Sequence, residues 1–244
     1  MSGIGAATPG ASPDESDPTS TPRDRSSAWR TSYTTVRKDL LAPTSWTNHR
    51  RLALLGVAAI DRSTKVLEVG SGDGNLSATF AELGFADLTG VEVQHELVAA
   101  QTSPTRTVVG SADALPVRSS SVGAVLVMDV LHHLDAAGID AALHECRRVL
   151  RSDGALFVCE PGDTWVRRML EPVVLSPLAG LTAFSRHKRT MLEHEQETLV
   201  PWLRGEREVE RRYRSAGFTV EHAARRVLHT FVRLRPTHRP GDRS

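Results

Sequence analysis

The 244-residue chain is short of several things that define large protein classes. It has only two cysteines, Cys146 and Cys159, each inside an apolar-periodic segment. That is too few for a disulfide framework and offers no metal-ligand spacing, so no metal is expected. They read as buried free thiols, and a reducing cytoplasm is the expected compartment. No apolar run is long and clean enough to span a bilayer. The first 27 residues lack the basic n-region and apolar core of a secretory signal. There are no internal repeats. Net charge is only +1, which excludes a chain dominated by one sign of charge. The basic carboxyl-terminal part lacks interleaved aromatics, so no nucleic-acid partner is expected.

What is there fits one α/β domain with additions. Residues 1–27 are rich in Pro, Ser, Thr, Gly and Asp and are expected to form a disordered tail. The domain is expected over 28–237, with a short tail at 238–244. Charge is unevenly placed along it. Residues 61–160 hold 14 acids against seven Lys or Arg, while 186–244 hold 14 Lys or Arg against eight acids. The acidic part suits a cationic cofactor. The basic part is compatible with an anionic substrate or weak association with a membrane surface.

The chain is organised around "KVLEVGSGDGNLSATFAELG", residues 65–84. A strand-length apolar run meets a loop with Gly70, Gly72 and Gly74 at alternate positions, and helical periodicity follows through Leu76, Phe80 and Leu83. Strand, tight turn and helix make the opening unit of a nucleotide-binding sheet. A dinucleotide fingerprint needs G-x-G-x-x-G. Here the spacing is G-x-G-x-G, and Asp73 and Glu68 would repel a pyrophosphate. A cationic ligand suits them better.

Further strands are expected at "DLTGVEV", "TRTVVG", "AVLVMDVLHHL" and "GALFVCEP", with "RSDG" as the turn before the last. Glu92 closes the second strand, where a carboxylate can accept two hydrogen bonds from a ribose diol. Before the first strand, "SWTNHRRLALLGVAAI" reads as a helix with Ser45 as N-cap and Leu52, Leu55 and Ala59 on its apolar stripe. In 161–205, Pro172 and Pro177 argue against one continuous helix. A helix, an Ala-Gly-Phe turn and two strands complete the chain.

The glycine loop resembles motif I of the class I S-adenosylmethionine (SAM)-dependent methyltransferases. Three more stretches strengthen the resemblance. "GSADALPV" is similar to the G-D-A-x-x-L-P-F pattern of small-molecule members, including those of ubiquinone and menaquinone biosynthesis. "LHHL" after the fourth strand and "ALHECRRVLRSDGALFVCEP" resemble the same group. The resemblance implies a Rossmann-like, seven-stranded α/β sheet, mostly parallel with one antiparallel strand, with helices on both faces and a helical cover. It implies SAM as cofactor, held by Glu68, Gly70, Ser71, Gly72, Gly74, Glu92, Val93, Ala112, Asp113, Met128 and Asp129. The usual adenine-binding acid is Ser111 here. Ser111, Asp113 two residues on, or the backbone can take that contact, and Asp113 with the backbone of Ala112 is preferred.

Methyl transfer needs positioning more than a catalytic residue, except where a neutral hydroxyl or carbon acid must lose a proton. His133 and then His132 are the candidate bases, delivered to the crevice by the fourth strand. Glu160, His187 and His194 rank behind them. Residues 161–205 are the expected substrate cover, and Trp29, Tyr33 and Trp46 are candidates for a lid. The absence of an N-P-P-Y-type tetrapeptide argues against methylation of DNA bases or protein glutamine. The expected acceptor is a hydrophobic small molecule such as a quinone, lipid or secondary metabolite. A non-catalytic SAM-binding scaffold and a nicotinamide-dependent oxidoreductase are the rival readings.

Overall fold

The computed structural model describes residues 45–101, 105–175 and 199–237. Seven strands form one sheet: β1 (Val66–Val69), β2 (Leu88–Glu92), β3 (Arg106–Val109), β4 (Val122–Met128), β5 (Leu150–Pro161), β6 (Phe218–Arg226) and β7 (His229–Pro236). Their order across the sheet is β3-β2-β1-β4-β5-β7-β6. β7 runs antiparallel to both β5 and β6, and the other pairings are parallel. The one antiparallel strand read from the sequence is therefore β7.

The helices are α1 (Ser45–Leu55), α2 (Asn75–Glu82), α3 (His95–Ala100), α4 (Ala136–Val149), α5 (Trp165–Leu175) and α6 (Glu206–Ser215). A further helical stretch covers 199–204. Alternation along the strands sorts the core into two layers. Leu67 and Val69 of β1, Val125 and Val127 of β4, and Leu156 and Val158 of β5 pack with α4, α6 and Trp202. Val66, Ala124, Leu126, Phe157 and Phe231 pack on the other face with Leu52, Leu55, Leu76 and Phe80 of α1 and α2. All four β1 residues are buried, as a central strand covered on both faces requires.

Asp135 caps α4, its carboxyl accepting from the Gly138 N–H at 2.7 Å. At the far end of α4, Arg148 donates to the Val117 and Leu115 carbonyls at 2.8 and 3.0 Å, and Glu145 accepts from the Leu115 N–H at 2.7 Å. The 111–117 loop is thereby clamped to α4. Both thiols are buried, and burial pushes the Cys146 thiol up to about 12.

Several local expectations are corrected. α1 stops at Leu55 because Gly56 turns left-handed, at φ 75°. Ala59 is exposed, and Val57, on a single 3-10 turn, is the buried residue beyond the helix. "RSDG" belongs to β5, as an irregularity between the Leu150 and Ala155 pairings in which Arg151, Ser152 and Asp153 are exposed and Gly154 is buried. β4 ends at Met128, and 131–133 form a 3-10 turn rather than strand. α5 continues through Pro172, since the one lost N–H bond affects one turn of an eleven-residue helix. Pro177 and the two terminal tails lie outside the described residues, as does most of the expected cover.

Candidate functional site

The crevice at the carboxyl ends of β1, β2, β4 and β5 gathers the sequence-derived candidates. On its β1–β2 side the backbone does the shaping. Gly70, Gly72 and Gly74 all have positive φ, at 75°, 54° and 81°. Other residues adopt that conformation only with strain. At Gly70 a side chain is also excluded sterically, because a Cβ would sit 2.3 Å from Cγ2 of Val130. The glycine loop thus rests directly against the segment that follows β4.

Glu92 is buried at the end of β2. Its Oε2 accepts from the Gly72 N–H and its Oε1 from the Gln94 N–H, both at 2.9 Å. Each carboxyl oxygen keeps a further lone pair. Gln94 is also buried, and among the described residues its Nε2 has no hydrogen-bond partner. A buried donor left open beside a buried carboxyl indicates a polar ligand. Ser71 is buried in the same loop. Gln101 donates to the Gly72 carbonyl at 2.7 Å and is itself oriented by Thr107 Oγ1, which donates to its Oε1 at 2.6 Å.

Glu68 faces away from this loop surface, towards α2, where it accepts from Ser77 Oγ at 2.5 Å. Asp73 spends its carboxyl on Asn75, accepting from the side-chain amide at 2.8 Å. Val93 and Asp113 are exposed, and Ala112 is partly buried beside a Ser111–Ala114 bridge.

On the β4–β5 side, side chains far apart in sequence take over. Asp129 has φ 56°, a left-handed conformation for a residue with a side chain. Arg51 of α1 donates to Asp129 Oδ2 at 2.8 Å, and its other terminal nitrogen lies 3.0 Å from His229 Nε2. His229 Nε2 in turn lies 3.4 Å from Asp129 Oδ1. Burial alone would raise the Asp129 carboxyl. The His229 hydrogen bond and the charges of Arg51, His229 and His132 outweigh it and hold the carboxyl well below the usual carboxylate range.

One turn on, buried His132 places Nδ1 2.7 Å from Oε2 of buried Glu160. Oε1 of Glu160 accepts from the Val130 and Leu131 N–H groups at 2.9 and 2.8 Å. The Glu160 carboxylate can only accept, so His132 Nδ1–H donates to it. The rings of His132 and His133 lie 3.8 Å apart, and the buried Trp202 ring stands edge-on to His132 at 6.5 Å. Trp202 is fixed by donation from Nε1 to the Pro161 carbonyl at 2.8 Å. Burial and then the neighbouring His132 push the His133 imidazole well below its ordinary value, so it is neutral at pH 7.

Arg51, Gln94, Gln101, Trp202 and His229 are missing from the sequence-derived site. Only Gln94, two residues after the acid that closes β2, carried a positional signal. Trp46 is exposed, with the Arg50 guanidinium 5.5 Å from its ring centre, so it does not pack on the sheet. Trp29, Tyr33, His187 and His194 lie outside the described residues. The described residues contain no cluster able to hold a metal ion and no helix long and apolar enough to cross a membrane.

Residues 67–158 match the family model described as a methyltransferase domain. These residues form a class I SAM-dependent methyltransferase domain. Its cofactor is SAM. Solved structures share the fold at low identity. The PH0226 protein of Pyrococcus horikoshii is 18% identical with a TM-score of 0.60, over 84% of this chain and 99% of that one. The 1,6-didemethyltoxoflavin-N1-methyltransferase of Burkholderia thailandensis, solved with its substrate and S-adenosylhomocysteine, is 18% identical with a TM-score of 0.58, over 92% and 94%. A TehB-like SAM-dependent methyltransferase of Corynebacterium glutamicum is 14% identical with a TM-score of 0.56, over 88% and 100%. No curated protein matches the methyltransferase significantly in sequence.

The donor set fits the cofactor. It offers a buried carboxyl with spare lone pairs, an open amide donor beside it, and a loop whose backbone is bare at three points.

Proposed function

We propose that this methyltransferase acts on a hydrophobic small molecule, a quinone, lipid or secondary metabolite, at oxygen, carbon or nitrogen. The carrying observation is the buried Glu160–His132 pair with the partly buried His133 ring 3.8 Å from His132, on the segment whose Val130 abuts the glycine loop. A neutral imidazole next to the cofactor loop suits an acceptor that must lose a proton. That the Burkholderia protein is a methyltransferase of 1,6-didemethyltoxoflavin supports the small-molecule class. The interrupted apolar sequence of 161–205 supports a hydrophobic acceptor.

When bound, SAM supplies a methyl group on a positively charged sulfur, displaced in line by the acceptor atom. In this reading Glu92 orients the cofactor by accepting from its ribose hydroxyls while still holding the Gly72 and Gln94 N–H groups. Gly70, Ser71, Gly72 and Gly74 let the cofactor lie against bare backbone. Glu68 acts from behind the loop through Ser77. Val93, Ala112 and Asp113 flank the adenine end, and Met128 and Asp129 line the end nearer the acceptor. Glu160 fixes the tautomer and tilt of His132. His133, stacked on it, accepts the acceptor's proton. Trp202 and the 199–204 helix exclude water from that side.

The test is titration calorimetry with SAM on the wild type and Glu92→Ala, followed by labelled-methyl transfer to a panel of phenols, quinols and lipids. Loss of two charge-assisted hydrogen bonds predicts affinity weaker by roughly 10²-fold or more in the variant. Equal affinity in both proteins removes Glu92 from the site. Transfer to peptides or nucleic acid, with none to the panel, overturns the acceptor class.

A further inference from the structure

A second feature lies beside the crevice and plays no part in the chemistry above. β6 and β7 are joined by a two-residue loop, Val227–Leu228, closed by the Arg226–His229 pairing. Val227 has φ 52°. The first position of such a loop favours glycine or asparagine when φ is positive, and a β-branched residue there is strained. Folding therefore gains nothing from valine at this point, yet the side chain is apolar and 55% exposed.

The loop is tied to the start of α5. Thr164 Oγ1 donates to the Val227 carbonyl, and the Gly162 N–H and Arg167 donate to the Leu228 carbonyl at 2.9 and 3.1 Å. α5 then exposes Trp165 (74%) and, one turn on, Met169 (66%), with Leu170 beside it. Four apolar side chains on two mutually braced elements are left facing solvent. Arg168, Arg225 and Arg226 are close to them in sequence, as is Arg167, whose guanidinium donates to the Gly162 and Leu228 carbonyls, both at 3.1 Å. The one carboxyl described among these arginines is Asp163, which pairs with Arg168 and lies in the field of Arg225 and Arg167.

We propose that Trp165, Met169, Leu170 and Val227 dock the protein on an anionic lipid bilayer surface, with Arg168, Arg225 and Arg226 meeting the headgroups. An exposed tryptophan at the edge of an apolar patch, with excess positive charge close by in sequence, matches the chemistry of an anionic interface. The patch follows directly from Pro161 at the carboxyl end of β5, so a lipophilic acceptor would reach the crevice from the bilayer side. Docking does not rest on the methyl-transfer reading and is measured without cofactor.

The experiment is co-sedimentation of the full-length protein with phosphatidylcholine vesicles, pure or containing phosphatidylglycerol. The expected result is binding that requires phosphatidylglycerol and falls as salt rises. Trp165→Ser with Met169→Ser should weaken it by about tenfold or more, given the apolar area removed. Val227→Gly should weaken binding while raising the melting temperature, a pairing of signs that a purely structural role would not produce. Absence of binding, equal binding to pure phosphatidylcholine, or unchanged binding by the variants overturns the proposal. So does a self-association that these substitutions dissolve, which would make the patch a contact between copies. A large fall in melting temperature for the double variant with no vesicle binding would mean that the chain itself covers the patch.

Discussion

The two sides of the crevice are built by different means. On the β1–β2 side the shape is a property of backbone. Three left-handed glycines and an N–H held by Glu92 lie within one stretch of 23 residues, 70–92, and only the rest of the loop on Val130 reaches further along the chain. On the β4–β5 side the shape is a property of side-chain pairs brought together from distant parts of the chain. Arg51 meets Asp129 across 78 positions and His229 across 178, and His132 meets Glu160 across 28. A backbone-defined site tolerates almost no change at its special positions and ignores its neighbours. A pair-defined site should degrade gradually, and each pair should carry its own pH signature.

The largest effect is expected where backbone and sterics coincide. Gly70→Ala forces an alanine to φ 75° and sets its Cβ against Val130. Left-handed strain of about 1–2 kcal/mol and overpacking of about 1–3 kcal/mol point the same way. Urea unfolding should show a loss of roughly 2–5 kcal/mol, with SAM binding abolished. Gly84→Ala sharpens the comparison, because φ is 86° there but no atom lies near. It should cost only the strain, about 1–2 kcal/mol, and leave binding intact. Equal losses at the two glycines would mean that the contact with Val130 is unimportant.

Glu160→Gln tests the other side. The amide oxygen can keep the Val130 and Leu131 N–H groups, but the amide nitrogen now faces His132 Nδ1 and reverses its hydrogen bond. Stability should fall by only about 1–3 kcal/mol. With a proton-bearing acceptor, kcat should drop by roughly 10²-fold while SAM affinity holds. Nitrogen NMR of the imidazole should show the proton moved from Nδ1 to Nε2. An unchanged tautomer would deny Glu160 its positioning role.

The same division explains what was legible in the sequence. Strand and helix periods are local, so the sheet, its order-setting glycine loop and the acid closing β2 were readable from short windows. Gly70, Gly72 and Gly74 announce their backbone conformation by their identity. Arg51 sits in a run of helix-forming residues and announces nothing, because what matters is an aspartate 78 residues later. His132 and His133 were visible as candidates. That Glu160 would lock the first and that the second would stack on it depended on the 3-10 turn after β4, which an apolar run read as continuous strand concealed. Pro172 misled for a related reason. The rule that proline interrupts a helix is local, while α5 is continuous on both sides of one missing hydrogen bond.

The smallest and most diagnostic effect should come from Arg51→Met. In the folded protein the Asp129 carboxyl is held well below its ordinary value of about 3.9. Over the interval between the two values the unfolded chain binds the extra proton. The pair's contribution is therefore complete above about pH 4 and is lost as pH falls towards the folded value. Without Arg51 the folded carboxyl loses a partner and its value rises towards that of the unfolded chain, so less stability is lost on the acid limb. Near neutrality a partly exposed pair of this kind is worth only about 0–1 kcal/mol. His133 adds a slope to both proteins, since an imidazole whose value is lowered by folding makes stability decline as pH drops below about 6.5. The difference between wild-type and Arg51→Met urea midpoints, taken from about pH 3 to 7, cancels that slope and leaves Asp129. A difference of about 0–1 kcal/mol near pH 7 that shrinks as pH falls below about 4 assigns the Arg51–Asp129 pair to the folded state. A flat difference would show that α1 is held to the sheet by its leucines alone, and that the β4–β5 side, like the glycine loop, is set without help from charge.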